Sequence, residues 1–216
     1  MMVDDGRCIV DGEEKEADNS AHHPSSIIHY SPFIPHTLSH LTEVRAFRSP
    51  FPEAFYNKIC DEYEQITDAI TQRIIYQSDG LKVTGVHSFP VKTEKKKHPI
   101  LIYNRGGNRE FGKLTLFLIM NSILPFARAG YLVFASNYRG NDGGEGIDEF
   151  GGADVNDILN LLEIAKTNPA WDGKNIFMLG HSRGGMMTYM TLRRSKTINA
   201  AISIAGVSDM LQSAID

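Results

Sequence analysis

The fold of this chain is decided by residues 176–185, which read Ile-Phe-Met-Leu-Gly-His-Ser-Arg-Gly-Gly. The apolar run at their start predicts a buried strand, and residues 183 to about 194 predict a helix. Between the two lies G-x-S-x-G, with Ser182 at its centre and Gly180 and Gly184 on either side. At a tight strand-to-helix turn a serine hydroxyl projects above the sheet, and a Cβ at either glycine would collide with a neighbouring element. We interpret the segment as a nucleophile elbow; an ordinary Gly-rich turn is the alternative.

The composition is that of one soluble globular domain with a tail. The 216 residues are 42% hydrophobic with a formal net charge of -4, which gives no reason to expect a nucleic-acid partner. Only two cysteines occur, Cys8 and Cys60, so we expect a reducing compartment and no structural disulfide. No apolar run approaches the roughly 18 residues of a membrane helix, and the acidic start lacks the order of a signal peptide. We therefore predict a cytoplasmic protein without membrane association.

The two ends of the chain differ in character. Residues 1–50 predict a poorly ordered segment, because they are rich in Asp, Glu, Ser, His and Pro and show no sustained period. The histidines there, His22 and His23 among them, have no Cys or carboxylate at ligand spacing, so we predict no metal site and no cofactor. Residues 51–216 predict a partial α/β domain, which opens with a helix from Pro52 to about residue 67.

Six strands are predicted after that helix. They are residues 72–77, 82–89, 99–103, 131–136, 176–179 and 200–204. The first two flank Asp79-Gly80, a strong hairpin signal, and the others are short apolar runs typical of strands buried on both faces. Helices are predicted over residues 151–167 and, in two pieces because of Pro125, over residues 114–129. The alternation of strands and helices predicts an α/β fold with a mostly parallel sheet and helices on both faces.

Three motifs follow predicted strands, at the edge of the sheet where active groups gather. They are Gly-His-Ser-Arg-Gly-Gly at residues 180–185, Tyr-Asn-Arg-Gly-Gly at residues 103–107, and Asn-Tyr-Arg-Gly at residues 137–140. The last is followed by a Gly-rich loop through Gly146 and by Glu-Phe-Gly-Gly-Ala-Asp-Val at residues 149–155. Together they resemble the α/β-hydrolases, and more narrowly the catalytic domain of the prolyl oligopeptidase family of serine peptidases. The resemblance covers roughly residues 70–210.

The resemblance implies a site built around Ser182. Ser182 would be the nucleophile toward a peptide or acyl-ester substrate, and the backbone N–H of Arg183 would be one oxyanion donor. The N–H of Gly106 or Gly107 would be the other donor, in a loop where Arg105 stands in place of the His that many relatives have.

The resemblance also separates structural from substrate-facing residues. Arg139 and Asp154 look structural, bracing the loops around the serine. The Arg183 side chain is either another such brace or part of the substrate surface, and both readings stay open.

The chain departs from the family in its triad. In this fold the catalytic residues follow one another along the chain as Ser, then Asp or Glu, then His. No His follows Ser182 in this sequence. Asp209, which does follow it, is interpreted as a turn or cap residue. Of the earlier histidines, His181 is expected to point away from the hydroxyl. His87 and His98 are expected at the wrong end of the sheet. A serine without an adjacent base is a poor nucleophile, so we expect little or no turnover from this chain.

The resemblance implies two further strands, so Ala200–Ile204 would form an exposed apolar edge. The chain is either the front part of a longer hydrolase, which we favour, or a complete protein that covers this edge by forming a homodimer. The functions considered are accordingly a serine hydrolase, a non-catalytic interaction protein on the same scaffold, and an esterase for small acyl substrates.

Overall fold

Seven strands form one mixed sheet in the part of the chain that the computed structural model describes, residues 28–32 and 53–209. They are β1 (His29–Pro32), β2 (Ala69–Ser78), β3 (Leu81–Pro90), β4 (His98–Asn104), β5 (Leu132–Ser136), β6 (Trp171–His181) and β7 (Ala200–Ile204). Their spatial order is β1-β2-β3-β5-β4-β6-β7. The pairs β1–β2, β2–β3 and β3–β5 are antiparallel. The pairs β5–β4, β4–β6 and β6–β7 are parallel. The three motifs follow strands of the parallel half.

Helical segments connect the strands. In the described ranges they are α1 (Glu53–Glu64), α2 (Leu116–Leu118), α3 (Leu124–Arg128), α4 (Val155–Lys166) and α5 (Arg183–Arg194), with a π turn (Ile119–Ile123) between α2 and α3. The predicted break within residues 114–129 is confirmed, but the π turn makes it. Pro125 lies in the first turn of α3, where its missing N–H costs no intrahelical hydrogen bond. None of these helices is long and apolar enough to cross a membrane.

Alternating residues of the central strand β4 divide the core between the two faces of the sheet. Ile100 and Ile102 belong to a buried cluster that contains the apolar residues of α4 and α5. Leu101 and Tyr103 belong to a second cluster, with residues of the α2–α3 segment. Successive side chains of a strand point to opposite faces, so a wholly apolar strand requires cover on both. The predicted α/β sheet with helices on both faces is confirmed, but the described sheet is mixed, not mostly parallel, because β1, β2 and β3 pair antiparallel.

The predicted β2–β3 hairpin is also confirmed, and it is longer than the pattern indicated. The two strands pair from Ala69 opposite Pro90 down to Ser78 opposite Leu81. Asp79 and Gly80 at the turn both have positive φ, 52° and 79°, as the tight turn requires.

One strand lies where the sequence predicts no regular structure. β1 pairs antiparallel with β2, His29 opposite Ile75 and Pro32 opposite Gln72. Backbone hydrogen bonds to an available edge form this strand, and they need no periodic side-chain pattern. Residues 1–27 and 33–50, with His22 and His23 among them, lie outside the described residues, so the domain boundary near residue 50 stays a prediction.

A buried ion pair ties the loop after β5 to the rest of the sheet. Arg139 Nη2 lies 2.7 Å from Asp157 Oδ1 of α4 and 2.7 Å from Asp79 Oδ2 at the hairpin turn. Asp157 also accepts from the backbone N–H of Arg139 at 2.7 Å. The structural role predicted for Arg139 is confirmed.

Replacing Arg139 with methionine should leave the Asp157 carboxylate buried without its cation. We expect the free energy of unfolding in urea to fall by about 3–5 kcal/mol. The matched control is Arg128→Met, which breaks the half-exposed pair with Asp68 and should cost about 0–1 kcal/mol. Equal losses in the two variants would contradict a structural role for the buried pair.

Candidate active site

Three strand ends bring the motifs together. In the register of the parallel strands, Asn104 at the end of β4 lies opposite Ser136 at the end of β5 and opposite Gly180 of β6. The segments that follow these positions therefore leave the sheet side by side. They carry Gly106 and Gly107, the loop of residues 137–154, and Ser182.

The backbone of Ser182 makes an abrupt turn from β6 into α5. Its φ is 54° and its ψ is -123°. A non-glycine residue held in such a sparsely populated region stores roughly 1–3 kcal/mol of strain. The turn is held from both sides, because the Ser182 N–H donates to the Ile204 carbonyl at 2.8 Å and the Ser182 carbonyl accepts from the Gly185 N–H at 2.8 Å. Among the described residues, the Ser182 hydroxyl has no hydrogen-bond partner.

The two glycines that flank the turn have steric reasons to be there. A Cβ on Gly180 would lie 2.0 Å from the carbonyl oxygen of Gly184, and a Cβ on Gly184 would lie 1.9 Å from that of Asn104. Both distances are far inside van der Waals contact with backbone atoms that cannot move aside. The spacing G-x-S-x-G therefore follows from the close approach of β4, β6 and α5.

The loop after β4 reaches Ser182 at Gly106. A Cβ on Gly106 would lie 3.3 Å from the Ser182 Cβ and 3.0 Å from the His181 carbonyl oxygen, so this backbone passes directly beside the serine. Gly107 has a φ of 76°, in the left-handed region that favours glycine. In the described part of the chain, neither glycine N–H donates a hydrogen bond. The N–H of Arg183 opens α5, where no intrahelical acceptor exists for it.

The Arg183 side chain is a buried brace between α5 and the loop after β5. It is 1% exposed, and its Nη2 donates to both Asp148 and Asp154. Its guanidinium also lies over two rings, 4.7 Å from the centroid of Tyr138 and 4.6 Å from that of Phe150. The alternative in which this side chain forms part of the substrate surface is wrong, because the loop after β5 covers it. The structural role predicted for Asp154 is confirmed.

Two further residues of the site have no role predicted from the sequence. Tyr138 lies in the Asn-Tyr-Arg-Gly segment, fully buried, and donates its hydroxyl to the Arg105 carbonyl at 3.0 Å. Asp148, in the loop between β5 and α4, accepts from Arg183 Nη1 at 2.8 Å and from the Arg109 N–H at 3.2 Å. The sequence could have indicated Asp148 as a site residue, because it is a carboxylate in a loop that follows a strand. Nothing in the local pattern indicated that its partner is Arg183.

The described histidines do not supply a base to Ser182. His87 is buried in β3 and stacks on Phe134 with ring centroids 4.0 Å apart; burial lowers its pKa to about 3. His98 Nδ1 lies 3.0 Å from the Gly130 carbonyl, at the opposite end of β4 from the site. His181 is exposed, and no hydrogen bond joins its ring to the neighbouring hydroxyl. Nor do three His, Cys, Asp or Glu side chains in residues 28–32 and 53–209 converge on a possible metal position.

The Asp148 carboxylate should make the site sensitive to acid. Burial by itself would raise its pKa, but hydrogen bonds from Arg183, Asn141 and the Phe150 N–H outweigh burial and lower it from 3.8 to about 2. A carboxyl with a depressed pKa stabilises the folded state above its unfolded pKa, and that contribution disappears as the pH falls through the folded pKa.

Asp148→Asn should therefore lower the free energy of unfolding by about 2 kcal/mol at pH 7, with the difference from wild type closing between about pH 4 and pH 2. Urea unfolding across this range measures it, and Asp61→Asn, an exposed carboxylate of α1, is the control. A difference that stays constant down to pH 2 would show that charge is not the origin of the effect.

Comparison with known proteins finds sequence similarity to one family of peptidases over part of the chain. Residues 119–216 match the sequence profile of the prolyl oligopeptidase family. An uncharacterized peptidase of Bacillus subtilis, YtmA, is 34% identical over 139 residues, which are 64% of this chain and 52% of that protein. Dipeptidyl-peptidase 5 of Porphyromonas gingivalis is 30% identical over 138 residues, 61% of this chain and 20% of that protein.

A solved peptidase structure is also similar to this chain. The acylaminoacyl peptidase of Pyrococcus horikoshii superposes with a TM-score of 0.58 and 26% identity, over 74% of this chain and 27% of that one. The chain thus spans about half the length of the first relative and about a quarter or less of the other two proteins. The α/β-hydrolase fold is confirmed, and the sequence of residues 119–216 is similar to that of the prolyl oligopeptidase family.

Proposed function

We propose that this protein is a serine hydrolase in which Ser182 attacks the carbonyl carbon of a peptide or an acyl ester. The observation that carries the proposal is the backbone of Ser182, held at φ 54° between β6 and α5 with backbone N–H groups beside it. The relatives that are named peptidases support a peptide as the substrate class. The sharp turn is accordingly assigned as a nucleophile elbow.

The chemistry of the proposal is acyl transfer in two steps. As Ser182 Oγ bonds to the carbonyl carbon, a base takes the Oγ proton and the carbonyl electron pair moves onto oxygen. The tetrahedral intermediate then expels an amine or alcohol, which receives that proton, and an acyl-enzyme remains. Water releases the acyl group and restores the hydroxyl.

Backbone N–H groups are the proposed stabilisers of the oxyanion. The Arg183 N–H stands at the first position of α5, where unpaired donors and the positive end of the helix dipole favour a negative charge. The N–H of Gly106 or Gly107 is the second proposed donor. Donors of this kind are already oriented before the reaction, and losing one typically costs roughly 10²–10³ in kcat.

The described part of the chain does not place a base beside Ser182. Among the described residues no histidine contacts the Ser182 hydroxyl, and no histidine follows Ser182 in the sequence. Loss of triad members typically lowers the rate by roughly 10⁴–10⁶-fold. We therefore propose that the 216-residue chain by itself turns over substrate very slowly, and that an external base in the site raises the rate.

A fluorophosphonate probe, followed by intact mass, tests the nucleophile. We expect one adduct per chain when imidazole is present to accept the Oγ proton, much slower labelling without imidazole, and no adduct with Ser182→Ala. The control is Ser208→Ala, an exposed serine after β7, which should label like wild type.

Each contrary result has its own meaning. Labelling of Ser182→Ala would overturn Ser182 as the nucleophile. Labelling equally fast without imidazole would overturn the missing base. No adduct on folded protein under either condition would overturn the hydrolase proposal itself.

An esterase for small acyl substrates would use the same turn and the same donors. The comparison of kcat/KM between a p-nitrophenyl ester and a peptide p-nitroanilide, both with imidazole, separates it from a peptidase.

From composition we also infer a cytoplasmic protein without a nucleic-acid partner, since the chain carries a net charge of -4 and only two cysteines.

The exposed edge of β7 favours a second candidate, a non-catalytic interaction protein on the hydrolase scaffold. β7 pairs with β6 on one side, and no strand of the described ranges pairs with its other side. Ile202 and Ile204 are 58% and 48% exposed. An exposed apolar edge strand is a template for pairing with another chain, and the proposed partner is a second copy of this one.

Sedimentation velocity over a range of protein concentrations tests this homodimer. If it forms, Ile202→Lys should shift the equilibrium to the monomer, because a charge on the edge strand opposes edge-to-edge pairing. Ile147→Lys, at a 76% exposed isoleucine in the loop after β5, should leave the dimer intact. A wild-type protein that stays monomeric at all concentrations would rule the second candidate out.

A further inference from the structure

Arg105, the residue directly before the two glycines of the β4 loop, has no exposed surface and uses its guanidinium to hold backbone carbonyls. Nη1 donates to the carbonyl oxygens of Gly106 at 3.1 Å and Phe111 at 3.2 Å. Nη2 donates to those of Arg109 at 3.0 Å and Asn137 at 2.6 Å. One side chain thus fixes the β4 loop at three points and joins it to the end of β5.

This burial of a cation is not explained by a close ion pair. The nearest carboxylate oxygen, on Asp148, lies 4.0 Å from Nη2, beyond hydrogen-bond range. Burial lowers the pKa of the Arg105 guanidinium, and the like charge of Arg183 lowers it further. Carbonyl dipoles and the Tyr138 ring, 4.8 Å from the guanidinium carbon, compensate the charge. A rigid fork with five N–H donors suits this task, whereas a lysine ammonium does not.

The held carbonyls determine where the loop N–H groups point. In a trans peptide the C=O and N–H bonds point in opposite directions, and the described residues contain no cis peptide. Arg105 holds the Gly106 carbonyl, so the N–H of Gly107 in the same peptide points away from the guanidinium. Tyr138 holds the Arg105 carbonyl in the same way and so directs the N–H of Gly106.

Both N–H groups are without an acceptor in the described part of the chain, and Gly106 passes directly beside Ser182. We infer that Arg105 is a positioning residue, which holds the β4 loop by its carbonyls so that the Gly107 N–H is presented as the second oxyanion donor. The inference rests on the proposed function of Ser182. Arg105 itself contributes no atom to the reacting groups, and Tyr138 assists it from the neighbouring peptide.

Arg105→Lys tests the inference, because lysine keeps the charge but a single ammonium cannot hold four carbonyls. The measurement is imidazole-supported hydrolysis of a p-nitrophenyl ester and of its thiono analogue. Sulfur accepts hydrogen bonds weakly, so misplacing an oxyanion donor slows the ester more than the thiono ester. We expect kcat/KM for the ester to fall roughly ten- to a hundredfold, and the ester-to-thiono ratio to fall with it.

The matched control is Arg139→Lys, a buried arginine that pairs with Asp157 and does not contact the β4 loop. It should leave the ester-to-thiono ratio at the wild-type value, because a general loss of stability slows both substrates alike. Tyr138→Phe is the milder second variant, compared with Tyr76→Phe at another buried hydroxyl. If Arg105→Lys does not fold, as judged by circular dichroism, the tyrosine pair decides the outcome.

The outcomes separate the two proposals. A wild-type rate equal to that of Ser182→Ala would overturn the proposed function and the inference with it. A Ser182-dependent rate whose ester-to-thiono ratio is unchanged in Arg105→Lys and in Tyr138→Phe would overturn the inference alone. A fall in the ratio confined to the Arg105 and Tyr138 variants is the result we expect.

Discussion

The close approach of three backbone segments at the carboxyl edge of the sheet is the constraint on which the site depends. The start of α5 lies so near the end of β4 that a Cβ on Gly184 would be 1.9 Å from the Asn104 carbonyl oxygen. Gly180 faces the same restriction from the other side of the turn. Ser182, between them, is forced to a φ of 54°. Burial of the apolar residues of α5 and β6 offsets this strain, so the core maintains the geometry of the serine.

Two buried arginines organise the loops around that turn by different physical means. Arg183 is neutralised by carboxylates, Asp148 and Asp154, and so connects the first residue of α5 to the loop after β5. Arg105 is surrounded by main-chain carbonyls, and no carboxylate comes within hydrogen-bond distance of it. Attraction between opposite charges depends little on their orientation. Hydrogen bonds from a planar guanidinium to carbonyl oxygens also fix the orientation of the peptide groups that accept them. The Tyr138 ring lies against both guanidinium groups and keeps them apart from water.

The packing of the sheet brings together some, but not all, of the groups that the proposed serine hydrolase would need. The turn, the helix N-terminus and the glycine loop all come from segments that leave adjacent parallel strands, so the packing of the sheet alone assembles them. A general base does not arise from this packing. Two histidines of the sheet are placed elsewhere: His87 stacks on Phe134, and His98 lies at the opposite end of β4. The described residues therefore position the proposed nucleophile and the proposed oxyanion donors without a base hydrogen-bonded to Ser182.

Local sequence patterns predict the strands β2 to β7, the main helices and the turn at Ser182. The apolar runs, the Asp79-Gly80 hairpin and the G-x-S-x-G spacing each depend on a few neighbouring residues, and each was predicted. The strand β1, the burial of Arg105 and Arg183, and the role of Asp148 were decided only by the tertiary structure. Asp148 and Arg183 are 35 residues apart in the chain, and no periodicity relates them. Local patterns record backbone preference and side-chain burial, whereas the partner of a buried charge depends on which distant loop the folded sheet places against it.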